Sequence, residues 1–495
     1  MQNLYSIKLN KRLGESRRKG FAIMLTALMM VWVIPMVGLV IDVGIMYSIK
    51  ARLSAACDAA ALAAARSLST GVALLDQEAA AKNRAETFFK ANFPLGTLET
   101  ADRHVDVTVH ETEAKVRTIR VSGSAAAPVY FMQMLGSART IVSALGEASR
   151  RDINIMLSLD RSGSLQTSGA CDDLEDASRA FVGLFANGRD RVGFMTWGAS
   201  YRVDYPPTQY FKQSPSASEE LDKLYPGGCN GWTGSAQGLW KAYEQIVAVS
   251  EPGSLNVIVF FTDGKPNTIA ADWNVRTDSG GPGGASTCWD WIHNVAAGDA
   301  AWNPANQAYR GWVDPNGRGI KQLLAGPIPA VDDPGMVTIP EGFGPPEKDA
   351  SADCRYRTTG RATNDVLYPE KDLYGNRLVT GYKPVQVHAG GQGNGRVRED
   401  DAASRGNAAI NAVDDAAKRI REKTLNSNVS VVVHVIGLGD LGADQHELLK
   451  RIANASDSPI HDTNAPTGLY LVAPSASQLD DAFQKVASEV LRLSK

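Results

Sequence analysis

A chain of 495 residues is too long for one compact core and predicts two or three folded units. Its 44% hydrophobic and 21% charged residues exclude wholesale disorder, and a net charge of −3 gives no sign of a nucleic-acid partner. Charge is nevertheless uneven: residues 1–20 carry Lys8, Lys11, Arg12, Arg17, Arg18 and Lys19 against a single acid, Glu15.

This basic head meets "FAIMLTALMMVWVIPMVGLVI", residues 21–41, an uncharged run long enough to span a bilayer. A secretory signal has a shorter apolar core and a small-residue cleavage site, so a retained transmembrane helix is expected here. The positive cluster on its N-terminal side keeps residues 1–20 in the cytoplasm and sends everything after Asp42 to the periplasm or the exterior. The expected location is therefore the inner (cytoplasmic) membrane, crossed once. Pro35 lies inside the run, which membrane helices tolerate.

Residues 42–150 read as a small membrane-proximal α+β region. "KARLSAACDAAALAAARSL", Lys50 to Leu68, is a helix of very small residues that lets another helix approach closely. A second helical stretch, "AAAKNRAETFFKANFP", precedes the alternating "VDVTV" and the strand-like "RTIRVSGSAA".

From Asp152 strands and helices alternate. "INIMLSL" is an apolar run of the kind buried on both faces. A helix over 172–185 follows, then "RVGFMTWG", an edge hairpin at "YRVDYP", a helix over 235–249 and the buried strand "LNVIVFFTDG". Beyond a long gap come the helix "AAINAVDDAAKRIREK", the strand "VSVVVHVIGLG", a helix over 445–452, "GLYLVAP" and a final helix. In that last helix Leu479, Phe483, Val486, Val490 and Leu493 form one stripe. The alternation predicts an α/β fold with a doubly wound, mostly parallel sheet over 151–271 and 401–495.

Residues 272–400 differ in kind. They are Gly- and Pro-rich, weakly periodic, and hold Trp273, Trp289, Trp291, Trp302 and Trp312, so they read as a folded insertion in the sheet domain. Its tryptophans form either its own small core or a contact surface beside the sheet edge, the first being preferred.

Ligands of such sheets bind outside the carboxyl ends of the strands. Three segments bring oxygen atoms there: "DRSGS" with Asp160, Ser162 and Ser164, "GWTGSAQGL" with Thr233, and "FFTDG" with Asp263. Two carboxylates and three hydroxyls are a hard, all-oxygen set suited to Mg²⁺, with Mn²⁺ as a second candidate. Side chains this short leave positions to water, one of which an acidic group of a partner protein can take.

These five residues resemble the metal-ion-dependent adhesion site of von Willebrand factor A domains, with its DxSxS motif, a distant Thr and a strand-end TDG. The resemblance implies that Asp160, Ser162, Ser164, Thr233 and Asp263 hold the ion directly or through water. Residues 17–65, together with "APVYFMQMLG", resemble the TadG-like proteins of the tight-adherence pilus system. That family implies a membrane-anchored component of Flp-type pilus assembly, with pilus-assembly proteins as partners. Pseudopilin relatives place a Glu shortly after their cleavage Gly, whereas Gly20 is followed here by "FAIML", so an uncleaved anchor is expected. The alternative function is a surface adhesin for host or matrix material.

Export puts the five cysteines in an oxidising compartment. Pairs Cys171–Cys229 and Cys288–Cys354 are the simplest of the three connectivities four cysteines allow, leaving Cys57 as a packing residue.

Enzymatic signals are weak. "GLGDLG", Gly437 to Gly442, matches a dinucleotide fingerprint, but the segment before Asp462 is polar where a second strand is required. His446-Glu447 opens like a zinc-protease motif, yet position 450 is Lys. No G-x-S-x-G occurs, and His434 reads as a packed strand residue. A binding protein, not an enzyme, is expected.

Overall fold

The computed structural model describes residues 3–68, 73–113, 115–136, 139–224, 229, 231–251, 253–274, 302–303, 308–313, 320–322, 365–366, 369–385, 397–398 and 402–493. Two compact units divide the chain near Arg150.

The first unit begins with α1 (Asn3–Ser67), a single helix with Pro35 inside it. The apolar run and the Ala-rich stretch thus belong to one helix. Among the described residues, Ile23–Ser67 is the helical stretch long and apolar enough to cross a membrane. Only 6% of its most apolar window is buried, which sets it apart from the core helix of a soluble protein. Then come α2 (Leu74–Asn92) and a sheet of β1 (Ala101–Glu113), β2 (Val116–Pro128) and β3 (Arg139–Arg151), ordered β1-β2-β3.

What the small residues of α1 admit is this sheet. Ile49, Leu53, Ala56, Cys57, Ala60 and Ala64 pack with Phe89 of α2, Ile119 and Val121 of β2, and Val142 and Ala144 of β3. At Gly146 a Cβ would lie 2.4 Å from the backbone of Cys57, so strand and helix backbones touch there. Cys57 is a buried, unpaired thiol within that core. Strand β3 carries little strand signal in its sequence, because its inward positions are Val142, Ala144 and Gly146, two of them too small to read as hydrophobic.

The second unit is built on a six-stranded sheet in the order β15-β14-β7-β4-β5-β6. Its strands are β4 (Ile153–Asp160), β5 (Arg191–Trp197), β6 (Tyr201–Thr208), β7 (Leu255–Thr262), β14 (Val431–Leu438) and β15 (Tyr470–Ala473). All pairings are parallel except β5 with the edge strand β6. Two apolar layers cover it. On one face α6 (Ser235–Val249), α7 (Ala402–Arg421) and α8 (Ala443–Ala453) pack over Met156, Met195, Trp197 and Phe260. On the other, α4 (Cys171–Gly183) and α9 (Leu479–Leu493) pack over Ile155, Leu157, Leu159 and Phe261. Leu479, Phe483, Val486 and Val490 of the C-terminal stripe are all fully buried. The helices α3 (Gly163–Ser168) and α5 (Ala217–Leu221) are short.

After Asp263 the chain leaves this sheet. Strand β8 (Ile269–Asn274) pairs with β10 (Ala308–Val313), which also pairs with β9 (Trp302–Asn303) and β11 (Ile320–Gln322). A further pair joins β12 (Asp365–Val366) to β13 (Val397–Arg398). Residues 369–385 return onto α6 and α7: Leu378 and Val385 enter the core, and Arg419 Nη1 of α7 donates to the Tyr374 carbonyl at 2.8 Å. Trp289, Trp291, Cys288 and Cys354 lie outside the described residues, so neither the second cysteine pair nor the role of these tryptophans is placed.

His434 on β14 is fully buried, and its Nδ1 accepts the Leu469 N–H at 2.9 Å. Burial holds its pKa down at about 4 against the usual 6.5, the nearby Glu489 offsetting only part of this. A depressed histidine means the unfolded chain takes up a proton that the folded protein refuses. Stability from this residue is full above pH ~6.5 and drains away as the pH falls through ~4, amounting to about 3 kcal/mol. The difference in unfolding free energy between the natural protein and His434→Gln, followed from pH 7.5 to 4.5, should shrink accordingly. A pH-independent difference would show that His434 does not titrate with unfolding.

Candidate metal centre

The sheet order places the site. From β4 the chain runs to β5 and β6 on one side, then crosses to β7, β14 and β15 on the other. The order reverses between β4 and β7, and in parallel sheets such a crevice at the carboxyl edge is where ligands sit. Asp160 is the last residue of β4, and Asp263 directly follows β7. Along β4 the side chains alternate, so Asp160 shares a face with Met156 and Ser158. Ser158 Oγ bonds the Gly238 carbonyl of α6 at 3.0 Å. Asp160 accordingly points toward the side on which the loop before α6 carries Thr233.

Asp160 is fully buried and held by both oxygens. Oδ1 accepts the Ser162 N–H at 2.8 Å, and Oδ2 accepts the Thr262 hydroxyl at 2.6 Å. Ser162 stands at the N-cap of α3, where a serine ordinarily accepts a backbone N–H of the first turn. It makes no such capping bond; its Oγ lies 3.0 Å from Ser164 Oγ instead. Both hydroxyls converge on Asp263 Oδ1, Ser164 at 2.7 Å and Ser162 at 3.4 Å.

Thr233 is aimed by Asn267. The Asn267 Oδ1 accepts the Thr233 N–H at 2.7 Å, the Asn267 N–H donates to the Thr233 carbonyl at 3.0 Å, and Nδ2 reaches the Thr233 hydroxyl at 3.5 Å. Gly264 stands between Thr233 and Ser164: a Cβ there would lie 3.1 Å from Thr233 Oγ1 and 3.6 Å from Ser164 Oγ. All five sequence-picked residues thus converge. Asp160, Ser162 and Thr233 are buried, Asp263 is half-buried and Ser164 is exposed, so the cluster opens to solvent on the Ser164 and Asp263 side.

The electrostatics suit a cation. Burial raises the pKa of Asp160, and the neighbouring charge of Asp263 raises it further, against the hydrogen bonds from Thr262 and Ser162. Asp263 is also raised, by burial first. Two carboxylates pushed toward their neutral forms by burial and mutual repulsion are the donor set that a hard divalent ion relieves. Among the described residues no cluster of three or more His, Cys, Asp or Glu side chains converges.

The cysteines bear on the same loops. Cys171, which opens α4, is disulfide-bonded to Cys229, whose N–H donates to Gln166 Oε1 of α3 at 3.1 Å. Two residues on, the Gly231 carbonyl accepts the Gly163 N–H at 3.0 Å. The strand-end loop of β4 and the loop bearing Thr233 are therefore tied together covalently and by hydrogen bonds.

Sequence reasoning missed Thr262, Asn267 and Gln237. Thr262 lies within "FFTDG", beside the more conspicuous Asp263, and its hydroxyl donates to Asp160. Asn267 follows Pro266 in what reads as an ordinary turn, and Gln237 grips the carbonyls of Gly198 and Ala199 at 3.0 and 2.6 Å from inside a helix. The decoys resolve structurally. Gly439 has a positive φ of 85° after β14, and the polar segment beyond α8 is a loop in which Asn454 bonds Asp462.

The sheet and the site define a von Willebrand factor type A domain. The family model of that domain matches residues 154–278, a range containing all five site residues. A second family model, "Putative Flp pilus-assembly TadE/G-like", matches residues 20–67, so a TadE/G-like N-terminal segment and a von Willebrand A domain occur in one chain. Calcium-activated chloride channel regulator 1 of Macaca mulatta is 30% identical over 147 residues, and its Homo sapiens counterpart 29%. Those matches cover 30% of this chain, and the chain spans 15% of the length of these curated relatives.

Among solved structures, the PilB minor pilin of Streptococcus sanguinis is 14% identical, with 81% of this chain and 80% of that chain covered and a TM-score of 0.35. The von Willebrand domain of the type V pili tip protein Mfa5 from Porphyromonas gingivalis is also 14% identical, covering 70% of this chain and 98% of that one at a TM-score of 0.35. The pilus adhesin SpaC of Lactobacillus rhamnosus GG, in its open conformation, is 12% identical at a TM-score of 0.35, covering 79% of this chain and 34% of that one.

Proposed function

We propose that this protein is a membrane-anchored binding module of Flp pilus assembly that grips an acidic group of a partner protein through Mg²⁺. The observation that carries this reading is the convergence of Ser162 and Ser164 on Asp263 beside buried Asp160, with the cluster open on one side. Asp160, Ser162, Ser164, Thr233 and Asp263 would hold the ion, with Mn²⁺ as a substitute. Bound there, the ion supplies a hard Lewis-acid position for a carboxylate from outside. Asp160 and Ser162 are fixed from below by Thr262 and the backbone, while the exposed Ser164 faces the side from which an Asp or Glu of the partner would approach.

The TadE/G-like match supports the pilus context, and the long apolar helix supports the anchor. The basic head supports a cytoplasmic N-terminus in the inner membrane, which puts the bulk of the chain in the periplasm or outside the cell. The Cys171–Cys229 bond agrees with an oxidising compartment. The module binds and does not turn over substrate.

The test is Asp263→Ala introduced into cells that assemble the pilus. Loss of surface pili, with the variant still present in the membrane fraction at normal level, is the expected result. Intact pili with lost attachment to host or matrix surfaces would transfer the function to adhesion. Intact pili with intact attachment would remove the site from both.

A further inference from the structure

The first unit returns to the foot of its own membrane helix. Asp42 follows the apolar run directly and is fully buried. Its carboxylate accepts three successive backbone N–H groups, Tyr130 at 2.9 Å to Oδ1, and Phe131 and Met132 at 2.9 and 2.7 Å to Oδ2. These residues lead into a short 3₁₀ turn over Met132–Leu135. One helical turn before Asp42, on the same face, is Gly38, where a Cβ would fall 2.4 Å from Phe131 Cγ. The Phe131 ring lies flush on the helix backbone because residue 38 has no side chain.

This contact fixes a depth. A 21-residue apolar run measures about 31 Å as a helix, close to the ~30 Å of bilayer hydrocarbon. Gly38 stands three residues short of the end of the run, about 4.5 Å inside it. A ring seated on Gly38 is therefore level with the outer hydrocarbon boundary, yet Phe131 keeps 38% and Tyr130 43% of their surface exposed. Tyr130 directs its hydroxyl away to Glu99 Oε2 at 2.7 Å, on a neighbouring loop that itself exposes Leu95 at 75% and Leu98 at 39%. Aromatic rings with an apolar body and a bonded polar tip are what the membrane interface selects.

We infer that the Tyr130–Met132 loop is a lipid-facing wedge, clamped to the foot of the membrane helix by Asp42 and Gly38, whose ligand is the glycerol–acyl boundary of the outer leaflet of the same membrane. The inference rests on α1 spanning that membrane. It gives Asp42 a task that no pairing with a cation provides: three backbone donors that would otherwise face lipid are satisfied by one carboxylate. It also makes the first unit a collar that sets how deep the helix sits.

The test is spin-label accessibility in the full chain, reconstituted in phosphatidylethanolamine–phosphatidylglycerol vesicles with Cys57 replaced by Ala and Cys288 and Cys354 by Ser. Nitroxides are placed singly at Phe131→Cys, Tyr130→Cys, Val31→Cys and His110→Cys. The expected result is that 131 and 130, like mid-run Val31 but to a lesser degree, are reached better by oxygen than by a water-soluble nickel chelate, while exposed His110 shows the reverse. Adding Gly38→Leu should displace the loop and move the 131 label toward the His110 pattern without altering Val31. A water-like signal at both 130 and 131 beside a lipid-like Val31 overturns the wedge alone. A water-like signal at Val31 overturns the membrane span and the wedge with it.

Discussion

Asp263→Asn is expected to raise the metal-free stability of an Arg150–Lys495 fragment while abolishing its response to Mg²⁺. Asparagine keeps an oxygen to accept the Ser162 and Ser164 hydroxyls, so the local shape survives. It removes the negative charge that, with burial, raises Asp160. The natural protein should gain about 2.7 kcal/mol at an ion concentration 100 times its dissociation constant, a shift of several degrees in melting temperature. Asp160→Ala is a less clean probe, because it strips Thr262 and the Ser162 N–H of their acceptor and destabilises with or without metal.

The dependence on pH has a definite sign. A carboxyl raised in the folded state holds its proton more tightly than the unfolded chain does. The metal-free protein therefore loses stability as the pH climbs from the ordinary carboxylate range through the raised value. Mg²⁺ competes for the same oxygens, so its stabilising effect grows across that window, and both trends should be shallower in the variant. Calorimetric unfolding of both proteins at pH 5 and 7.5, with and without millimolar Mg²⁺, checks this. An Mg²⁺ shift that persists in Asp263→Asn, or is missing from the natural protein, would sink the metal reading.

Most of the sheet domain was legible because its central strands β4, β5, β7 and β14 are buried nearly throughout and read as mainly apolar runs. "INIMLSL" and "LNVIVFFT" leave no exposed position to interrupt the apolar run, and strands β4 and β7 carry them. The convergence of Asp160, Ser162, Ser164 and Asp263 was legible for a related reason: oxygen-bearing residues in sequence segments that end strands are brought to one edge of the sheet. What stayed hidden depends on small or remote residues. Strand β3 lines its core with Ala144 and Gly146, since the backbone of α1 lies directly above. Asn267 reads as turn chemistry until Thr233, 34 residues earlier, is beside it. Asp42 likewise reads as the polar end of a membrane run, and only folding brings residues 130–132 onto it.

Replacing Cys171 and Cys229 together by Ser should produce the largest loss of stability in the sheet domain. The bond closes a loop of 58 residues, which on chain-entropy grounds is worth about 4 kcal/mol. That loop contains α4, β5 and β6, so the cross-link restrains one whole side of the sheet in the unfolded chain. The loss should appear as a lowered urea midpoint, and dithiothreitol should lower the midpoint of the natural protein to the same value. An unchanged midpoint would mean that the reduced chain is restrained without the bond.

A second effect separates a general staple from a part of the site. Cys229 lies next to the Gly231–Gly163 and Cys229–Gln166 hydrogen bonds that join the Thr233 loop to the loop of Ser162 and Ser164. Removing the bond lets these loops drift apart while every proposed metal ligand remains, so the Mg²⁺ response should weaken beyond what stability alone explains. If stability falls and the Mg²⁺ response holds, the disulfide serves the fold only. If both fall, then a chain kept in a reducing compartment would have neither a firm sheet domain nor a working grip. Oxidation of Cys171 and Cys229 would then be the step that arms the site, since such a bond persists only in an oxidising compartment.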